Sequence, residues 1–137
     1  NELLFDSFQV TYNILEQSTF SILTEVLKQG KHVIIKEALA NGRLFQNEKF
    51  QNYQSVYSVL NSLSKKYNMG FDAIALRFVI DSLQPNYVLS GASNSEQLKD
   101  NLKALDFELA IDDLELLKSL QTSNKNYWQE RSNLAWN

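Results

Sequence analysis

The run Gly91-Ala-Ser-Asn-Ser-Glu-Gln-Leu-Lys-Asp-Asn101 holds the densest set of residues able to do chemistry in this chain. A short strand, Tyr87-Val-Leu-Ser90, enters a glycine turn there and then a helix. Ser93 as cap, with Glu96 three residues on, reads as a capping box. The start of such a helix offers unpaired N–H groups and the positive end of the dipole, which suit a phosphate. Gly91 lets a ligand come close to the backbone. Gln97, Asp100 and Asn101 stand three and four residues apart and so share one helical face. Side chains of these types, beside a phosphate-binding turn, can bond the edge of a purine and a ribose. A capped surface helix with no ligand has the same spacing.

Other chemistry is sparse. There is no cysteine, which removes disulfides, thiolate catalysis and Cys-based zinc sites. His32 is the only histidine and opens a strand. In parallel βα units chemistry gathers where strands end, so His32 is expected on the surface of the opposite side. Tyr12 follows a strand, but no Lys or His is placed to tune it. No His pair or carboxylate cluster suggests a metal site, and no residue is assigned a catalytic role. The 137 residues carry a net charge of -3, which argues against general nucleic-acid binding. No apolar run approaches the roughly 20 residues of a membrane helix. Asn1 to Phe5 lack the basic start of a secretory signal. The expectation is a cytoplasmic protein without membrane or nucleic-acid partners.

The elements that would position these residues alternate. Phe8, Val10 and Tyr12 alternate with Gln9, Thr11 and Asn13, predicting a strand over 7–13 whose polar face looks into a site. A helix over 18–29 follows, with Phe20, Leu23 and Leu27 on one face and Gly30 after its end. His32–Lys36 is a second strand, leading into a loop with Gly42. Polar residues 46–54 read as a mobile connection. Tyr53, Val56, Tyr57, Leu60 and Leu63 form a helical stripe, and a further helix capped by Asp72 buries Ala75, Phe78 and Val79. Pro85 ends it before the strand at 87–90. Leu98, Leu102 and Leu105 are expected as the core stripe of the next helix. The last helix carries Asp112 and Glu115 as a capping box, with Leu114, Leu117 and Leu120 inward. The aromatic tail Asn126-Tyr-Trp-Gln-Glu-Arg-Ser-Asn-Leu-Ala-Trp-Asn137 should dock on the body. Strands alternating with helices mean parallel βα units.

Three stretches, in order, resemble the aldo-keto reductase family. Gly91 to Asn101 resembles its last βα unit, most of all in the group that includes potassium-channel β subunits. The resemblance implies that Ser93, Gln97, Asp100 and Asn101 hold the adenosine end of a nicotinamide cofactor beside Gly91. Phe5-Asp-Ser-Phe-Gln-Val-Thr-Tyr-Asn-Ile-Leu-Glu16 resembles the sixth barrel strand and implies that Gln9 bonds the nicotinamide carboxamide. Val33-Ile-Ile-Lys-Glu-Ala-Leu-Ala-Asn-Gly-Arg-Leu44 resembles the seventh strand and its loop, often aromatic-Ser-Pro-Leu-x-x-Gly. It implies that Leu39, Asn41 and Gly42 lie near the phosphates. Lys36 stands where the family usually has an aromatic residue; it reaches a phosphate or points to solvent.

The resemblance implies an α/β fold, a partial (β/α)8 TIM barrel of strands six to eight with their helices, as one domain over residues 1–137. It implies an NAD(P)H-dependent reductase of a small carbonyl substrate, or alternatively a regulatory subunit that holds cofactor without turnover. NADP(H) is the first expectation, and NAD(H) stays open because Gly91 and Gln97 replace the Lys and Arg with which some relatives bind a 2'-phosphate. The family's catalytic Asp, Tyr, Lys and His lie on earlier strands, so this segment alone is expected to be inactive. Unpaired strand edges predict self-association of the isolated segment.

Overall fold

The computed structural model describes residues 4–135. Three strands, β1 (Ser7–Thr11), β2 (His32–Lys36) and β3 (Tyr87–Val88), form one parallel sheet in the order β1-β2-β3. The sheet is open, and each strand runs into a helical segment, the arrangement of a partial α/β barrel. The helices are α1 (Phe20–Lys28), α2 (Gln54–Tyr67), α3 (Phe71–Leu83), α4 (Ser95–Leu102), α5 (Ile111–Lys118) and α6 (Asn124–Ser132). None is long and apolar enough to cross a membrane.

Alternation along the strands decides which side chains meet the helices. Val33 and Ile35 are fully buried, and Phe8, Val10 and Val88 pack against the same core. On the opposite face Gln9 and Tyr87 are exposed and Ile34 is half-buried. Helix α3 is central: Ala73, Ile74, Ala75, Leu76, Phe78 and Val79 are all buried. Phe78 stacks on Tyr12 at 5.9 Å. The predicted stripe Tyr53, Val56, Tyr57, Leu60 and Leu63 is buried in full. Each such side chain contributes roughly 1.5–3 kcal/mol of burial. Removing Phe78 would cost about 3–5 kcal/mol through the cavity left behind.

Several local expectations need correction. The first strand stops at Thr11, because Tyr12 and Asn13 turn into a buried loop. There Asn13 Oδ1 accepts from the N–H groups of Leu15 and Glu16, both at 2.9 Å. The cap of α4 is Asn94, whose side chain accepts from Gln97 N–H at 2.9 Å, so the cap lies one residue later than Ser93. Gly70 precedes α3, and Asp72 sits inside its first turn. Ala110 precedes α5; Asp112 does not cap it, and Asp113 is turned inward to Lys66 and Tyr67. In each case an acidic or hydroxyl residue within a turn of the helix start looks like a cap in sequence, while the backbone decides which residue leaves helical geometry. Gly30 is as expected. Its φ of +71° and the bonds Lys31 N–H to Val26 O and Gly30 N–H to Leu27 O close α1 in a Schellman motif.

The largest departure is the α4 stripe. Leu98, Leu102 and Leu105 are 44%, 53% and 65% exposed instead of forming a core. They line an open apolar groove with Ile80, Tyr87 and Val88, beside β3 at the end of the sheet. Helical periodicity shows that a face is apolar but not what covers it.

Candidate functional site

The loop leaving β2 has an uncommon backbone. Glu37, Ala40 and Asn41 have φ of 56°, 51° and 57°, in the left-handed region that side chains disfavour. Such a conformation persists only where its surroundings hold it. Here the holder is α6. Arg43 is completely buried, with its guanidinium 4.0 Å from the centre of the Tyr127 ring. It donates to Ala40 O at 2.9 Å, Tyr127 O at 3.3 Å, Glu130 Oε2 at 3.2 Å and Asn41 Oδ1 at 3.4 Å. Arg131 Nε donates to Glu37 Oε1 at 3.2 Å. Asn13 Nδ2 donates to Glu37 O at 2.9 Å and to the Tyr127 hydroxyl at 3.0 Å. Tyr53 donates to Glu130 from the other side. The tail thus docks as expected through Tyr127; Trp136 and Asn137 lie outside the described residues.

Burial governs the titration of these groups. It pushes the Tyr127 phenol up to about 12, against the opposing charge of Arg43 and the bond from Asn13. Tyr53 is raised further by burial and by its bond to the Glu130 carboxylate. Tyr12 is also raised by burial, with its hydroxyl 3.1 Å from Ser82 Oγ. All three phenols therefore stay neutral at ordinary pH and serve as packing and hydrogen-bonding groups.

A cleft of about 660 Å³ opens between the β2 loop and the turn from β3 into α4. It is lined by Lys36, Leu39, Asn41 and Gly42 on one side and by Gly91, Gln97, Asp100 and Asn101 on the other. Eight of the ten residues singled out by sequence therefore share one concavity. Gln9 does not line it; it is exposed on the open sheet face, in register with Ile34. Ser93 is also outside, and its N–H and Oγ both donate to Gln97 Oε1 at 2.9 Å. That contact fixes the Gln97 carbonyl and turns its NH2 away from Ser93. Asn101 is 6% exposed and donates to Ser90 O at 3.0 Å, tying α4 to the end of β3. Gly91 has φ of +65°, which its lack of a Cβ allows. His32 is exposed at the opposite end of its strand.

Sequence reasoning missed part of the lining. Asp72 and Phe45 face the cleft from α3 and the β2 loop, and Glu37 joins Lys36 at the strand end. Asp72 was legible only as a helix-start residue, since nothing in its own segment relates α3 to α4. Arg43 gave a weak signal, a lone arginine beside a glycine; its complete burial needs α6. Among the described residues no cluster of His, Cys, Asp or Glu could hold a metal ion. The arrangement can hold an elongated polar ligand between a turn-rich backbone and one face of α4.

The chain matches the model of the aldo/keto reductase family over residues 1–122. No curated protein matches it significantly. Among solved structures it is similar to the thermostable aldo-keto reductase Tm1743 in complex with the inhibitor epalrestat. That similarity has 26% identity, a TM-score of 0.65, and coverage of 83% of this chain and 39% of that one. A putative 2,5-diketo-D-gluconic acid reductase B is 21% identical at a TM-score of 0.69, with coverage of 86% and 38%. A Gox0644 variant in complex with NADPH is 15% identical at 0.65, with coverage of 86% and 39%. The chain spans about two fifths of the length of these relatives. The family model covers most of the chain, the parallel βα order agrees with it, and this chain belongs to the aldo/keto reductase family.

Proposed function

We propose that this chain forms the nicotinamide-dinucleotide site of an NAD(P)H-dependent aldo-keto reductase acting on a small carbonyl substrate. The observation that carries the reading is the convergence of the β2 loop and α4 on one cleft, with Lys36, Leu39, Asn41 and Gly42 facing Gly91, Gln97, Asp100 and Asn101. A cleft of about 660 Å³ falls within the range of small-ligand sites, roughly 300–1,000 Å³. The phosphates would lie against the β2 loop, the adenosine against α4, and the nicotinamide would extend toward Gln9 on the open sheet face. When bound, the cofactor supplies a hydride. The residues of this chain bind and orient it, and Lys36 sets a positive charge at the end of β2. We assign the proton donor to barrel units outside this chain, since the Tyr12 hydroxyl is buried against Ser82 and does not line the cleft. Within the family, the Gly91–Asn101 run supports the branch that includes potassium-channel β subunits.

Two measurements test this. Fluorescence titration of the complete polypeptide that carries this chain should show saturable dinucleotide binding, weakened about tenfold or more by Gln97→Ala if a buried partner is left unpaired. Absence of binding would refute the reading. The purified 137-residue chain should show no cofactor-dependent carbonyl reduction, because hydride transfer to a carbonyl needs a positioned acid. Turnover with contaminants excluded would show that the chemistry resides here after all.

A further inference from the structure

Asn41-Gly42 is the one Asn-Gly pair in the chain. In such a pair the glycine has no side chain to shield its nitrogen, and its backbone is free to follow a change of torsion. The Gly42 nitrogen can attack Asn41 Cγ. A C–N bond forms, the side-chain amide leaves as ammonia carrying the glycine N–H hydrogen, and a cyclic imide remains. Water then opens the imide at either carbonyl, giving aspartate or isoaspartate. Water and base are the only reagents required. Asn41 is exposed, and it borders both the cleft beside α4 and a second open depression of about 900 Å³ next to Lys49 and Leu134.

Solvent therefore reaches the pair, but the folded loop blocks the reaction. Asn41 has φ of 57° and ψ of 37°. At that ψ the Gly42 nitrogen lies on the far side of the Cα–C bond from Asn41 Cβ, so the ring closes only after that bond rotates. Gly42 N–H is also donated to Leu39 O at 3.1 Å. Rotation at Asn41 would break this bond and drag Arg43 out from under the Tyr127 ring and away from Ala40 O. The torsions at Asn41 persist because the docked tail holds them.

We propose that Asn41-Gly42 is a deamidation site gated by α6, closed while the tail is docked and opened when it leaves. One product makes the release permanent. Isoaspartate routes the main chain through the former side chain and adds a carbon to it. The bonds that close the turn, Gly42 N–H to Leu39 O and Arg43 N–H to Ala40 O, both span that linkage. With the extra carbon they no longer meet, and Arg43 loses its seat under Tyr127. The site is independent of what the cleft binds.

The test uses the complete polypeptide that carries this chain, aged at mildly alkaline pH and mapped by peptide mass spectrometry, with isoaspartate read by enzymatic methylation. Isoaspartate at position 41 should accumulate about tenfold or more faster in Arg43→Ala than in the parent, because the reaction proceeds from the opened loop. Arg43→Lys should fall between. Asn94, followed by Ser95 and outside the clamp, is the internal reference and should age equally in all three. Asn41 ageing at one rate in parent and Arg43→Ala would overturn the gate, as would a native parent ageing as fast as the chain in guanidinium. Acceleration at Asn94 equal to that at Asn41 would also overturn it, since general unfolding would then be the cause. For the lock, the parent is aged in guanidinium and refolded, and its isoaspartate form is separated by chromatography. Hydrogen exchange should find α6 unprotected in that form and protected in Asn41→Gly treated in the same way, because glycine accepts the positive φ without forming the imide. Equal protection in the two, high or low, would overturn the lock.

Discussion

Replacing Arg43 by alanine should release α6 from the β2 loop. Arg43 is completely buried and lies under the Tyr127 ring at 4.0 Å. A desolvated cation–π contact contributes about 2 kcal/mol. Its bonds to Ala40 O and Tyr127 O are made where no water replaces them, and a buried acceptor left unpaired costs about 1–3 kcal/mol. The ion pair with Glu130 counts for less, because the Glu130 side chain is 31% exposed and can rehydrate, which caps its share at roughly 1 kcal/mol. These contributions are coupled and do not add. A net loss of about 3–4 kcal/mol is expected, most of it from the cation–π contact and the acceptors left unpaired. Native-state hydrogen exchange of the complete polypeptide reads this locally. Amides of α6 should lose protection by roughly 10²–10³-fold, since 1.4 kcal/mol is a factor of ten. Arg43→Lys should fall between, because a lysine keeps the charge but loses the planar fork and the stacking. Dinucleotide affinity should weaken with the loss of protection, as Ala40 and Asn41 lose what holds them at positive φ. Loss of less than tenfold protection in α6 would refute the clamp.

Two further outcomes follow from the packing. Burial raises the Asp113 carboxyl, but hydrogen bonds from Lys66 and Tyr67 and the Lys66 charge outweigh it, so its pKa lies below the ordinary carboxylate value. A depressed carboxylate stabilises the fold fully above its unfolded pKa and loses that contribution as pH falls through the folded one. Asp113→Asn should therefore destabilise at neutral pH, with the gap to the parent closing in acid; a pH-independent gap in urea titrations would contradict this. The isolated 137-residue chain should self-associate through Leu98, Leu102, Leu105 and the edges of the open sheet. Sedimentation should show concentration-dependent association that Leu98→Gln with Leu102→Gln weakens, whereas a monomer at all concentrations would exclude it.

Elements and their order were readable from local pattern as far as α5; α6 was not, since its segment was read only as an aromatic tail that docks. Alternation of Phe8, Val10, Val33 and Ile35, the stripe from Tyr53 to Leu63, and Gly30 after α1 each express a rule that acts within a few residues. In the candidate cleft Gly91, Gln97, Asp100 and Asn101 were readable from a glycine turn and a polar helix face, which are local features, whereas Lys36, Leu39, Asn41 and Gly42 were singled out through the family resemblance. The exact caps were not readable, since Ser93 and Asn94 have similar side chains and only the backbone path separates them.

What the amino-acid order determined by itself is which stretches form strands and helices and which faces are apolar or polar. Only the tertiary structure decided which apolar faces are covered, so that Tyr57 and Leu60 are buried while Leu102 and Leu105 remain open. It also decided that Arg43, 84 positions from Tyr127, is desolvated under that ring, and that Asp72 meets the same cleft as Asp100. The physical reason is range: backbone torsions and periodicity are set by near neighbours, whereas burial and charge environment are set by whatever the fold brings alongside.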